Sequence, residues 1–101
     1  MNIKITSRKF KAKDSLKSFI KSEINSLKKF NDNIMDANVV LSYTHLKDSI
    51  KSVEMVIQIP GKVITVTDSS DEFEKSVNSA ITKVIRQLDK VKTKRIARKK
   101  A

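Results

Sequence analysis

Four basic side chains recur at helical spacing near the end of the chain, at Lys83, Arg86, Lys90 and Lys94. Because residues three or four apart are neighbours on a helix, these four lie within an arc of about 80° and form one basic stripe. A row of cations binds phosphate groups, and an arginine can do so through two parallel hydrogen bonds. The whole chain has 22 Lys and Arg against 11 Asp and Glu, a net charge of +11. Stripe and net charge together predict a polyanionic partner, with nucleic acid as the leading class.

The excess positive charge is concentrated at the C-terminal end, where seven Lys and Arg lie in the last twelve residues. A run this dense favours an arm that binds phosphates, although a solubilising tail has the same composition. The basic stripe can also be explained without a ligand, since many amphipathic helices carry lysines only as a solvent-exposed face. We expect a single domain over residues 1–95, followed by a basic C-terminal tail over residues 96–101.

Residues suited to catalysis or metal binding are scarce. The chain has no Cys, His45 is its only histidine, and a single Gly excludes a glycine-rich phosphate loop. An acidic cluster could hold Mg²⁺, but acids at the start of a helix are equally explained by the helix dipole; its members are Asp68, Asp71, Glu72 and Glu74. We therefore expect no enzyme activity, no cofactor, no metal site and no small-molecule substrate.

No stretch of the sequence suggests a membrane. The N-terminal segment MNIKITSRKF lacks the apolar run of a signal peptide, and no segment approaches the roughly 18 apolar residues of a membrane span. We expect a cytoplasmic protein that makes no membrane contact.

Two amphipathic helices are expected to position the basic residues. The helix over residues 68–94 is predicted to begin with an acidic turn capped by Asp68, Ser69 or Ser70. Its apolar face consists of Phe73, Val77, Ala80, Ile81, Val84, Ile85, Leu88 and Val91. An earlier helix, capped by Asp14 or Ser15, has an apolar face made of Leu16, Phe19, Ile20, Ile24, Leu27 and Phe30. Its other sides carry Lys17, Lys21, Lys28 and Lys29.

Alternating apolar residues predict four strands, near residues 2–6, 37–44, 53–59 and 62–67, with Pro60-Gly61 as a turn between the last two. The predicted fold is α+β: a two-layer βαβββα sandwich whose four-stranded mixed sheet is covered on one face by two helices. The basic faces of both helices would then form one patch about two helices wide.

The aromatic content of the chain indicates which kind of nucleic-acid contact to expect. Only four Phe and one Tyr are present, and the core needs most of them, so phosphate and shape recognition fits better than base stacking. Tyr43 could pack in the sheet core or stack on a base. A double-stranded RNA-binding domain has a similar helix-sheet-helix tail, but the second helix of that domain starts with lysines that contact phosphates. Here the helix starts with Asp71, Glu72 and Glu74, which repel phosphates, so the binding mode of that domain is disfavoured.

The order and spacing of several motifs resemble the bacterial ribosome hibernation promoting factors and ribosome-associated inhibitors, also called sigma-54 modulation proteins. The motifs are Ile3-Lys4-Ile5-Thr6-Ser7-Arg8, Ala37-Asn38-Val39-Val40-Leu41-Ser42, Val53-Glu54, Pro60-Gly61, Asp71-Glu72-Phe73 and the stretch from Lys83 to Lys92. The resemblance covers nearly the whole chain and is to the short form of the family.

The resemblance implies that the chain binds 16S ribosomal RNA of the small subunit, alone and within the 70S ribosome, in the channel that messenger and transfer RNA occupy. Translation would be inhibited by exclusion in stationary phase or stress, and the free protein would be a monomer. The rRNA-binding residues implied are Arg8, Lys21, Lys28, Lys29, Lys83, Arg86, Lys90, Lys92 and Lys94. Two alternative functions would use the same basic patch. The protein could be a general nucleic-acid-binding protein of the nucleoid type, or a regulatory domain that binds an acidic protein.

Overall fold

A computed structural model describes residues 1–43 and 50–100, with side chains described up to residue 91. Its elements are β1 (Asn2–Ser7), α1 (Asp14–Ser26) followed by a 3-10 turn (Leu27–Lys29), β2 (Asp36–Tyr43), β3 (Lys51–Ile59), β4 (Lys62–Ser70) and α2 (Phe73–Lys100). The order confirms the predicted βαβββα arrangement. Within the described residues, no helix is long and apolar enough to span a bilayer.

The four strands form one mixed sheet in the order β1-β2-β3-β4. β1 pairs with β2 in parallel, and the later strands form an antiparallel meander. Pro60 and Gly61 connect β3 to β4, and Gly61 has a φ of 77°, which a residue without Cβ adopts at little cost. β1 and β4 are therefore the two edges of the sheet.

One face of the sheet is buried under the helices and the other is not. Val39, Met55 and Val66 lie side by side on neighbouring strands and are all buried. α2 covers them with Val77, Val84 and Leu88, which are at most 1% exposed, and α1 adds Ile20 and Ile24. The alternate residues of each strand, such as Val40 and Thr65, face away from the helices. This open face is exposed or half-buried throughout, as a two-layer fold requires.

Both predicted helix starts need correction. β4 continues to Ser70 because β3 begins at Lys51 and the two strands stay paired to their ends, so Asp68 to Ser70 belong to the sheet and α2 begins at Phe73. Ser70 Oγ still accepts a hydrogen bond from the Glu72 N–H, at 3.3 Å, just before the helix.

α1 begins without a side-chain cap. Lys13 occupies the N-cap position without a side-chain hydrogen bond, and Asp14 is the first helical residue. Ala12, two residues before the helix, is buried in the core. The acidic side chain of Asp14 in the first turn favours the positive end of the helix dipole.

The aromatic residues lie where the sequence pattern allows, except for Phe30. Tyr43 packs edge-on against Phe10, with ring centroids 5.1 Å apart, and Phe10 stacks on Phe73 at 5.3 Å, which supports the core alternative for Tyr43. The helical pattern places Phe30 on the apolar face of α1, but its side chain is 39% exposed. The helix and its 3-10 turn end at Lys29, so the helical period no longer determines where the ring of Phe30 lies.

Candidate nucleic-acid interface

The basic stripe of α2 lies along the edge strand β4. Lys83, Arg86 and Lys90 are exposed, and with Gln87 and Asp89 they line an open groove whose other wall is Thr65 to Thr67. α2 packs on β3 and β4 and meets α1 on its other side, because α1 contacts α2 and the opposite edge strand β1. The groove therefore opens on the flank of α2 that is turned away from α1.

Lys83 is held against the sheet and is not a free cation. Its Nζ donates to the backbone oxygen of Thr67 at 3.1 Å and forms an ion pair with Asp68 Oδ2, also at 3.1 Å. β4 has a neighbour on only one side, so Lys83 supplies a partner to a carbonyl of the edge strand. For Arg86 and Lys90, no ion pair is found among the side chains described up to residue 91. These two are the available cations of the groove.

Asp68→Asn is expected to strengthen RNA binding about two- to fivefold at low salt. The substitution removes a negative charge 3.1 Å from Lys83 Nζ, which frees that charge for a phosphate. An amide oxygen can keep the hydrogen bond that Asp68 Oδ1 accepts from the Ser69 N–H, at 2.9 Å. Fluorescence anisotropy with a labelled RNA measures the change. Unchanged or weaker binding would mean that Lys83 contributes nothing to the interface.

A second group of lysines lies where α1 ends. Lys28 and Lys29 are exposed and line a hollow together with Val91 of α2. Val91 directly follows Lys90 in α2, but the two side chains point about 100° apart around the helix, so the hollow and the groove lie on different sides of α2. Lys21 is exposed on α1, about two helical turns before Lys28.

Arg8 lies apart from these cations. It follows β1, its N–H donates to the Leu41 oxygen at 2.9 Å, and its side chain lines a shallow depression with Ser42 and Glu54 on the open face of the sheet. The basic residues of the two helices therefore lie in separate places: the stripe of α2 lines the groove along β4, Lys28 and Lys29 line the hollow at the end of α1, and Arg8 lies on the opposite face of the sheet.

Several predicted residues lie outside what is described. His45 falls in the segment 44–49, and the side chains of Lys92 and Lys94 fall beyond residue 91. The backbone of α2 continues to Lys100, so residues 96–100 extend the helix. The proposed boundary at residue 95 stays a prediction.

The acidic start of α2 has partners of its own. Asp71 Oδ1 accepts a hydrogen bond from Lys75 Nζ at 3.2 Å, and this contact lowers the pKa of Asp71 and raises the pKa of Lys75. In the described parts of the chain, no three carboxylate or histidine side chains come together as a metal site would require. Asp71 and Lys75 therefore neutralise each other at the start of α2, outside the groove.

Comparison with known proteins identifies the family. The profile of the sigma 54 modulation protein / S30EA ribosomal protein family matches residues 3–96, which includes every described element of the groove. The chain belongs to this family. The resemblance of the sequence motifs to the hibernation and sigma-54 modulation proteins is thereby confirmed.

Solved structures of the same fold extend over nearly the whole chain. A ribosomal subunit interface protein from Coxiella burnetii is 22% identical, covers 92% of this chain and 99% of its own, and superimposes with a TM-score of 0.84. The N-terminal domain of Protein Y from Thermus thermophilus is 21% identical over 90% of this chain and 99% of its own, with a TM-score of 0.80. A comparison with curated protein sequences gives no significant match. These structural likenesses establish the two-layer fold of the family.

Sequence reasoning misses two features of the interface. The charge pattern assigns Asp68 to the first turn of α2, whereas it lies on the helix-facing side of β4, opposite Val53 of β3 and within reach of Lys83. Thr65 and Thr67 stand out only as strand residues, although they form the second wall of the groove. Because a two-residue turn pairs the flanking strands symmetrically, the predicted start of a strand at Val53 already implies Asp68 as its partner, and this is the signal that could have placed Asp68 in the strand.

Proposed function

We propose that the protein binds the small ribosomal subunit through 16S rRNA, in the channel that messenger and transfer RNA occupy, and so holds ribosomes inactive. It acts by occupying the channel and catalyses no reaction. The observation that carries the proposal is the open, cation-lined groove of α2 in a chain that belongs to a ribosomal protein family. Such a factor works in the cytoplasm as a monomer, during stationary phase or stress.

The groove suits an RNA backbone better than a compact ligand. Between Lys83 and Lys90 the helix rises roughly 10 Å, so the cations can meet successive phosphates of one strand. The groove is open along the edge strand β4, and backbone N–H groups on that edge can donate hydrogen bonds to phosphate oxygens. Arg86 and Lys90 are the principal phosphate ligands, with Lys83 joining them on release from Asp68.

Further phosphate contacts come from the residues around the groove. Lys28 and Lys29 add positive charge at the hollow beside Val91, and Lys21 adds a further exposed cation on α1. Lys92 and Lys94 are proposed to lengthen the stripe on α2. Arg8 would contact a different part of the rRNA, since it lies on the open face of the sheet.

Sedimentation on a sucrose gradient tests the proposal. The purified protein is mixed with small subunits, large subunits and whole ribosomes near physiological salt, with excess duplex DNA as competitor. We expect one copy to migrate with each small subunit and each whole ribosome, to resist the DNA, and to be displaced when messenger RNA and transfer RNA fill the channel first. Loss of the protein to the DNA would overturn the proposal in favour of a general nucleic-acid-binding protein.

A further inference from the structure

The hollow at the end of α1 contains the one aromatic side chain that the fold leaves exposed. Of the five aromatic residues, only Phe30 ranks among the exposed large apolar side chains. The hollow has a volume of about 320 Å³, at the small end of the usual range for ligand pockets. Its lining is Lys28, Lys29, Phe30, Asn31, Asp32, Asn33 and Val91. Aromatic, amide, carboxylate and ammonium groups thus meet in a space that suits one small ligand.

Hydrogen bonds hold this lining in place before any ligand arrives. The N–H groups of Phe30 and Asn31 both donate to the Leu27 oxygen, at 2.9 and 3.0 Å, which closes the end of the 3-10 turn. Asn31 Oδ1 accepts from the Asn33 N–H at 2.8 Å, a turn that fixes the amide side chain and leaves its NH₂ group to donate. Val91 forms the other wall and is anchored by packing against the core. A preformed site loses little conformational entropy on binding.

The chemistry of the lining matches an unpaired nucleotide. An aromatic ring offers a surface on which a base can stack, and the isopropyl group of Val91 offers an apolar wall for its other face. The Asn31 amide donates hydrogen bonds and the Asp32 carboxylate accepts them, as the edge of a base requires. Lys28 and Lys29 supply positive charge for the attached phosphate. A base inside a duplex is already stacked and paired, so only a base that has left the stack can enter.

We propose that this hollow binds one unpaired RNA nucleotide, with the base against Phe30 and Val91 and the phosphate on Lys28 and Lys29. The site deepens the proposed function, on which it rests, because it adds base stacking to a surface that otherwise recognises phosphates. Val91 in the wall of the hollow is the next residue of α2 after Lys90 of the groove, so a strand that passes from one side of the helix to the other can contact both sites. A nucleotide held in the hollow would fix the position of that strand on the protein.

Substitutions at Phe30 test the site in the full-length protein. Fluorescence anisotropy compares a labelled single-stranded decamer of adenylate with a ten-base-pair RNA duplex. Phe30→Ala is expected to weaken binding of the single strand on the order of tenfold, since one base loses its stacking surface, and to leave duplex binding within about twofold. Phe30→Tyr keeps a stacking ring and should bind like the natural protein, whereas Phe30→Leu keeps only apolar bulk and should bind like Phe30→Ala.

Three results would overturn the site: an unchanged affinity of Phe30→Ala for the single strand, an equal decrease for both RNAs, or a leucine variant as good as the tyrosine variant. A titration with adenosine monophosphate, followed by the backbone amide resonances of Asn31 and Asn33, identifies the source of the nucleotide. Binding as tight as that of the decamer would assign the hollow to a free nucleotide and overturn the RNA assignment. Because no ribosome is used, failure here is distinct from failure to sediment with the small subunit.

Discussion

Arg86→Glu combined with Lys90→Glu is expected to abolish migration with the small ribosomal subunit and to lower the affinity at least about 100-fold near physiological salt. Both side chains line the β4 groove without an ion pair among the described side chains, so each reversal removes a cation that neutralises a phosphate and adds a repelling charge. The log-log dependence of affinity on salt should also become shallower, by about 0.7 to 0.9 for each phosphate that is no longer neutralised. Filter binding over a series of salt concentrations measures both effects.

A matched control separates the groove from net charge alone. Lys4→Glu combined with Lys11→Glu changes the net charge by the same amount at exposed positions in β1 and just after it, and β1 is the edge of the sheet farthest from β4. This variant should retain most of the affinity. Equal decreases in both variants would mean that the protein binds through overall charge, and full binding by the groove variant would exclude the groove. Circular dichroism checks that each variant is folded.

The apolar face of α2 is predictable because it depends only on local spacing. Val77, Val84 and Leu88 recur at helical intervals, and all three are buried against the sheet as expected. A helix must bury such a face wherever it packs, so the pattern does not require knowledge of its neighbours. The same reasoning places the alternating residues of β2 and β3 correctly on the two faces of the sheet.

The partner of Lys83 cannot be read from local spacing. Asp68 reaches Lys83 only because β4 extends to Ser70 and the register with β3 places Asp68 on the helix-facing side. That register depends on contacts between strands, which helical spacing in the sequence does not reveal. The acids before α2 look alike in the sequence, yet Asp68 restrains a cation of the groove while Asp71 pairs with Lys75 outside it.

Arg8 and Phe30 each follow the end of a regular element. The alternation of β1 still applies at Arg8, whereas the helical period of α1 no longer applies at Phe30. The alternation of β1 places Ser7 towards the helices and Arg8 on the same side as Lys4 and Thr6, so the open-face position of Arg8 follows from period two. Phe30 is assigned to the core only if the helical period is extended past Lys29, where the 3-10 turn ends. Asn31 and Asn33 form the turn that ends the helix, and the hollow exists because Phe30 lies at that turn.

Val39→Ala is expected to lower the free energy of unfolding by about 2 to 3 kcal/mol, because it deletes two methyl groups from the packed layer and leaves a cavity. Val39 is 0% exposed and lies between Ile5 of β1 and Met55 of β3, under the helices. Urea unfolding followed by circular dichroism should show a lower midpoint with an unchanged slope.

The neighbouring substitution Val40→Ala removes the same two methyl groups from the opposite face of the same strand. Val40 is half-buried between Thr6 and Glu54, and the helices lie on the other side of the sheet. Its truncation should cost less than about 1 kcal/mol, since solvent already reaches the side chain and little packing is removed. The difference in the free energy of unfolding between the two variants measures how far the core is confined to the helix-facing side of the sheet. Equal costs would mean that the open face is also covered in solution, which a two-layer monomer does not allow.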